Sequence, residues 1–218
     1  MTLEELIALY RADAFDQAVP YFCSDELLTL YANEAQDEAC RRGQLLRDSI
    51  SPLCHIAYAA GAEHIALDAR IIRILRASAD GYPARLSSLD DMDAMVAGWQ
   101  RNAPQGRPAH LVSGLSSDAL FLWPRPEADG AIALTVQRLP LARLSNVTDS
   151  PEIRPELHAA LVNWILFRAY GRQDSELYND QKSMLALSRF EAEFGRKASG
   201  RNEEWVRNGL GAMPCPIA

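Results

Sequence analysis

The sequence predicts an α+β fold: an antiparallel helical bundle formed by the N- and C-terminal segments, with a β-rich module inserted between them. Two helical patterns open the chain, and short runs of Ile, Leu, Val and aromatics broken by Gly, Pro, Asp and Ser fill its middle. Helical periodicity then returns behind Pro151 and Pro155, residues that fit a first helical turn but not a helix interior. The expected organisation is residues 1–50 as the first part of the bundle, 51–149 as the β-rich insert, 150–199 as its second part, a helical hairpin, and 200–218 as an extended C-terminal tail. Chain ends that meet in one unit are a common way to accommodate an insertion.

Thr2 with Glu5 forms a capping box, and Leu3, Leu6, Ile7 and Tyr10 follow at helical spacing, so the first helix runs to about Asp16. Ser24 caps a second, whose first turn carries Asp25 and Glu26 and which is expected to reach about Arg47. Leu27, Leu28, Tyr31, Ala35 and Ala39 make its apolar stripe; Asn33, Glu34, Asp37, Glu38, Arg41 and Arg42 fall mainly on the other sides.

Candidate strands are 53–60, 70–77, 82–87, 110–113, 119–123 and 131–139, with a short helix at 89–99 and a hairpin turn at Glu127–Gly130. In the last strand Ile132, Leu134 and Val136 share one face, as in a sheet with one dry side. The run ALFLW (119–123) is apolar on both sides and needs cover on both, from a second sheet, from helices or from another subunit. A third helix, Glu156 to Tyr170, is apolar nearly all round and should be central. After a short polar break a fourth begins at Asp174 or Ser175, presents Leu177, Met184, Leu187, Phe190 and Phe194, and lies back antiparallel. Beyond Gly200 periodicity stops although Trp205, Val206, Leu210, Met213 and Ile217 remain, which fits either a segment that orders on a partner or a frayed end.

With 48% hydrophobic and 23% charged residues in 218, the chain is globular rather than disordered. Its formal charge of -7 disfavours a dedicated nucleic-acid binder, which needs clustered Lys and Arg. No apolar run approaches the roughly 18 residues of a bilayer span. Cys23, Cys40, Cys54 and Cys215 are scattered without a CxxC pair, and no basic-then-apolar leader pattern opens the chain, so a cytosol-made protein with free thiols is expected. On that expectation the sequon Asn146-Val147-Thr148 has no meaning.

Cys54-His55 with His64 is the one His/Cys cluster, but adjacent strand residues face opposite ways, which argues for a structural thiol and histidine. Asp90, Asp91 and Asp93 could bind a hard cation; more simply, Ser88 or Asp90 caps the short helix and the remaining acids sit at its positive end. Gly114-Leu115-Ser116 lacks the flanking glycine of a nucleophile elbow, and no phosphate-binding glycine motif exists. Arg41, Arg42 and Arg47 suit a helix C-terminus. Arg70, Arg73 and Arg76 put charge on both faces of a strand read as a sheet edge, where they either block edge pairing or meet acids on a neighbour.

The stretch SDELLTLYANEAQDEACRR (24–42) is followed in order by LSSLDDMD, GWQRNAPQGRP, FLWPRPEADG and TVQRLPL, and then by HAALVNWILFRAYGRQDSELYNDQKSMLALSRFEAEFGRK (158–197). In that order the chain, from Ser24 to Lys197, resembles bacteriophage head-to-tail adaptors of the head-completion or tail tubular protein A type. The resemblance implies a noncatalytic virion protein without cofactor or metal, made in the bacterial host cytoplasm and placed at the head–tail interface. Its implied partners are the portal protein, further copies of itself in a dodecameric ring, and a downstream tail or nozzle protein. Double-stranded DNA would pass without sequence recognition, and an acidic lumen would repel it. The tail would dock on the portal through Trp205, Val206, Arg207, Leu210, Met213 and Ile217. The alternative reading is a nucleic-acid-binding regulatory protein using Arg70, Arg73 and Arg76; a hydrolase using Cys54 or Ser116 is a remote third.

Overall fold

The computed structural model describes residues 1–173, 175–198 and 200. By their contacts these divide into a helical unit, Met1–Leu46 with Leu139–Lys197, and a sheet unit, Arg47–Arg138.

The helical unit contains α1 (Leu3–Ala14), α2 (Asp25–Gly43), α4 (Val162–Tyr170) and α5 (Asp180–Phe194). Thr2 and Glu5 complete the capping box of α1 in both directions, at 3.3 and 2.9 Å, and Ser24 caps α2 through the Leu27 N–H. Such caps satisfy donors that the helix itself leaves orphaned. Around α4 the side chains of Leu6, Tyr10, Leu28, Leu161, Ile165 and Phe190 are fully buried, each worth about 1.5–3 kcal/mol in area removed from water. Ala32, Ala35 and Ala39 of α2 are wholly buried, which lets its backbone come close to α4.

In the sheet unit eight strands pair in the order β1-β8-β4-β5-β6-β7-β3, with β2 also on β8. They are β1 (Leu46–Asp48), β2 (His55–Tyr58), β3 (His64–Ala66), β4 (Ile71–Ala79), β5 (Tyr82–Ser87), β6 (His110–Val112), β7 (Ala119–Trp123) and β8 (Gly130–Arg138). The β5–β6 pair is parallel, joined through α3 (Leu89–Met95), so the sheet is mixed. Parallel neighbours need a crossover, and α3 supplies it. Cys54, Ile74, Leu111, Ile132, Leu134 and Val136 form the core on one face.

The expected fold class is corrected. The described chain is not an antiparallel helical bundle from its N- and C-terminal segments with a β insert; it is five α-helices with a curled eight-stranded mixed sheet, and it is strand-rich. Long antiparallel posts do not form because the run read as one helix from Glu156 breaks into two 3-10 turns, Pro155–Leu157 and Ala159–Leu161, before the nine residues of α4. Buried His158 holds that break with a hydrogen bond to the Ile153 carbonyl at 2.8 Å. Nor is the following bend short: α5 begins at Asp180 under an Asn179 cap. On α5 the buried face is Ser183, Ala186, Phe190 and Phe194, while Met184 stands 54% exposed. The second helix stops at Gly43, with Gln44 left-handed, so Arg47 sits in β1 instead.

Glu127–Gly130 is not a hairpin turn, because β7 and β8 are not neighbours. The tight hairpin is Asp80-Gly81 between β4 and β5, both residues at positive φ (51° and 81°) with Ala79 opposite Tyr82. That is a two-residue turn of the Asp-Gly kind whose twist matches the strands it joins. β7 is covered on both faces: Leu120 and Leu122 enter the main sheet core, while Phe121 and Trp123 pack with Met92, Trp99 and Val112 beneath α3. Trp205, Val206, Arg207, Leu210, Met213, Ile217 and Cys215 lie outside the described residues.

Candidate functional site

Cys54, His55 and His64 form no metal-holding group among the described residues. Cys54 is buried, and burial first, opposed only weakly by the Ser51 hydroxyl, pushes its thiol up, away from the thiolate a nucleophile needs. His55 is exposed on the other side of the chain, and His64 lies on the Phe121 ring. No group of His, Cys, Asp and Glu among the described residues has the proximity to hold a metal ion. Ser116 donates to Asp118 within a local turn.

Two of the three clustered aspartates also resolve into structure. Asp91 completes a capping box with Ser88, and those bonds, from the Ser88 N–H and then its hydroxyl, hold the Asp91 carboxyl below its usual range. Asp93 accepts the Trp99 indole N–H at 2.8 Å. Trp99 in turn lines a cleft of about 330 Å³ with Leu115, Phe121, Leu122 and Trp123, rimmed by a Glu63–Arg125 ion pair. Within this largely apolar wall the Trp123 indole nitrogen is buried without a hydrogen-bond partner among the described residues.

Arg70, Arg73 and Arg76 differ from expectation. Arg70 is held by Asp68 through two side-chain bonds of 2.9 and 2.6 Å, and those bonds bring the Asp68 carboxyl down to about 2. β4 is an interior strand between β8 and β5, not an edge. Its register on β8 slips twice: Ile72 and Leu75 are extra residues, so Arg73 faces Gln137 and Arg76 faces Thr135. The bulge at Leu75 turns the three-residue spacing of Arg73 and Arg76 into a two-residue step on the partner strand. Arg73 and Arg76 therefore share one face, the face away from the core, and do not straddle the sheet.

Around them that face carries small or polar residues: Ser78, Ala133, Thr135, and His55 of β2 opposite Ala133. Arg138, by contrast, is buried and grips Asp48, which also accepts from Ser51 Oγ at 2.6 Å and the Ile50 and Ser51 N–H groups. Burial alone would raise the Asp48 carboxyl, but these bonds outweigh it and hold it far below its usual range.

In the helical unit the α1–α2 corner is equally well built. Asp16, 1% exposed, accepts from the N–H groups of Phe22 (2.9 Å) and Cys23 (3.2 Å) and from Arg11 (3.2 Å). Arg11 lies over the Tyr21 ring and reaches Asp25 at 2.6 Å. A buried carboxylate with all its partners fixes the loop that it organises. Phe15, Val19 and Phe22 project outward from this locked corner, 84%, 79% and 44% exposed. The sequence offered no signal for this, since Asp16 reads as an ordinary helix end.

The described surfaces include an exposed apolar corner, an aromatic cleft and a sheet face bearing two arginines. Comparison with protein families gives a match over residues 1–211 to the SU10 adaptor protein. No curated protein matches the chain.

Proposed function

The chain belongs to the SU10 adaptor protein family, a family of phage head–tail adaptors, and from that premise we propose that it joins the portal of a bacteriophage head to the tail as one subunit of a ring. The observation that carries this reading is the extent of the match, which runs through both units. In the ring the chain acts by shape and self-association, and double-stranded DNA passes along the axis without sequence recognition. The protein is then a virion component at the head–tail interface, assembled in the host cytoplasm. A downstream tail or nozzle protein meets the face remote from the portal.

The tail segment 200–218 is assigned to portal docking, with Trp205, Val206, Arg207, Leu210, Met213 and Ile217 as the contacting residues. Large apolar anchors beside an arginine are the composition of an interface centre. Support comes from their retention in a stretch without helical or strand periodicity.

The test is negative-stain imaging and light scattering of the chain alone and mixed with the portal protein of the same phage. Rings stacked on the portal are expected; a chain monomeric in both samples rejects the reading. Truncation after Gly200 should leave the fold intact and abolish portal attachment, and undiminished attachment would reject the docking segment alone.

A further inference from the structure

Charge is unevenly divided along this chain. The helical segments, 1–46 and 139–197, contain seventeen Asp and Glu against eleven Lys and Arg, whereas 47–138 contains ten against nine. The division sharpens inside the sheet. β2, β4, β5 and β8 contain no carboxylate at all but carry His55, Arg73, Arg76, Arg85 and Arg138.

Arg138 is spent on Asp48. The Arg73 and Arg76 side chains have no ion pair or hydrogen bond among the described residues, and they stand on the outward face of an interior strand. Their partners on β8, Gln137 and Thr135, are two residues apart, which sets the arginines about 7 Å from one another along the strand. Leu75, the bulge residue beside Arg76, is 39% exposed. An apolar side chain flanked by arginines, beside Thr135, Ser78 and Ala133, is a surface that another can approach. Arginine there favours carboxylates, which it grips in a fork.

We propose that this face, Arg73, Leu75 and Arg76, docks on the carboxylate-rich helical surface of a second copy of the chain, head to tail. Charge complementarity selects the occupant: the acidic excess of this chain lies in its helical segments, and this pair of arginines lies on carboxylate-free strands of its sheet. Contacts between two different patches of one chain are heterologous, and they close into a ring when the rotation between copies permits. The inference rests on the adaptor reading for its ring, while the contact itself is measured without a portal. A duplex of DNA is the competing anion, and the acidic balance of the whole chain opposes it.

The experiment places p-benzoylphenylalanine at Leu75 in the full-length chain, mixes light and heavy nitrogen-labelled copies, irradiates them and maps the mixed-label peptides. Cross-links from position 75 to peptides of 1–46 or 139–197 of the other copy are expected. They should fall about tenfold or more in an Arg73→Glu/Arg76→Glu background and fall with rising salt. Arg73→Gln/Arg76→Gln, which removes charge without repulsion, should give an intermediate yield. Absence of cross-links between copies, or cross-links only to the other copy's 47–138, overturns the proposal. So does salt-sensitive binding of duplex DNA that the double Glu variant abolishes. Intact cross-linking together with failure to join a portal would remove the adaptor reading and leave this contact standing.

Discussion

Asn33 and Leu144, 111 residues apart, are joined in both directions: Asn33 Nδ2 donates to the Leu144 carbonyl at 2.9 Å, and the Leu144 N–H donates to Asn33 Oδ1 at 2.8 Å. The amide side chain imitates one rung of a β-ladder and satisfies a buried loop that no strand reaches. Gln36 sits next to it, fully buried, and makes long contacts of 3.4 Å to Asn33 Oδ1 and 3.5 Å to the Ala142 carbonyl, while its own Oε1 has no partner among the described residues. Asn33→Ala leaves both Leu144 groups unpaired and should cost about 2–4 kcal/mol, since each buried orphan costs about 1–3. Urea denaturation measures it; a loss below about 1 kcal/mol would show that water replaces the amide. Gln36→Met should lose far less, because it removes an orphan acceptor at similar volume.

Asp16 should be the most sensitive acid of the helical unit. Asp16→Ala strands the Phe22 and Cys23 N–H groups while Arg11 keeps Asp25, and each stranded buried donor costs about 1–3 kcal/mol. Asp16→Asn keeps one acceptor and should lose less. Equal stability of Asp16→Ala and wild type by thermal melting would refute the claim that this carboxylate fixes the corner.

Two glycines should fail for different reasons. Gly81 has φ +81° and open space where a methyl group would sit, so Gly81→Ala should cost about 1–2 kcal/mol from the left-handed backbone alone. Asn tolerates that conformation, so Gly81→Asn should recover most of the loss. At Gly130 a Cβ would overlap Asp80 Oδ1 and the Tyr58 hydroxyl, which belong to a hydrogen-bonded pair of side chains. Gly130→Asn should therefore be no better than Gly130→Ala. A rescue by Asn at both positions, or at neither, would contradict this division.

Acid should destabilise the sheet unit in two stages. His110 is held below its ordinary value of 6.5, by burial first and then by Arg85. The unfolded chain thus takes up that proton first, and stability declines as pH falls through about 6.5. Asp48 and Asp68 titrate below 3.8 in the fold, Asp68 near about 2. Their contribution is whole above 3.8 and is lost as pH falls below that value toward the folded pKa. Urea midpoints against pH should show both declines, and His110→Gln should abolish the upper one. A wild-type profile flat from neutrality to about pH 5 would contradict the upper stage.

By itself the sequence determined whatever is local. The capping box at Thr2 and Glu5, the Ser24 and Ser88 caps, the strands at 82–87 and 119–123 and the dry face of Ile132, Leu134 and Val136 follow from spacing within a few residues. Asp80-Gly81 and Asp129-Gly130 carry the same local turn signal, and strand pairing alone makes the first a tight hairpin and denies it to the second. Only the tertiary structure decided which strands pair, because register is an agreement between distant segments. β1 and β3, three residues each, gain a strand's identity from β8 and β7 alone. The two bulges of β4 break the two-residue alternation on which face assignment depends, so the side of the sheet taken by Arg73 and Arg76 is fixed by β8. Asn33 and Asp16 are polar by sequence and buried by structure for the same reason: a partner's backbone, invisible along the chain, satisfies them where water would otherwise be needed.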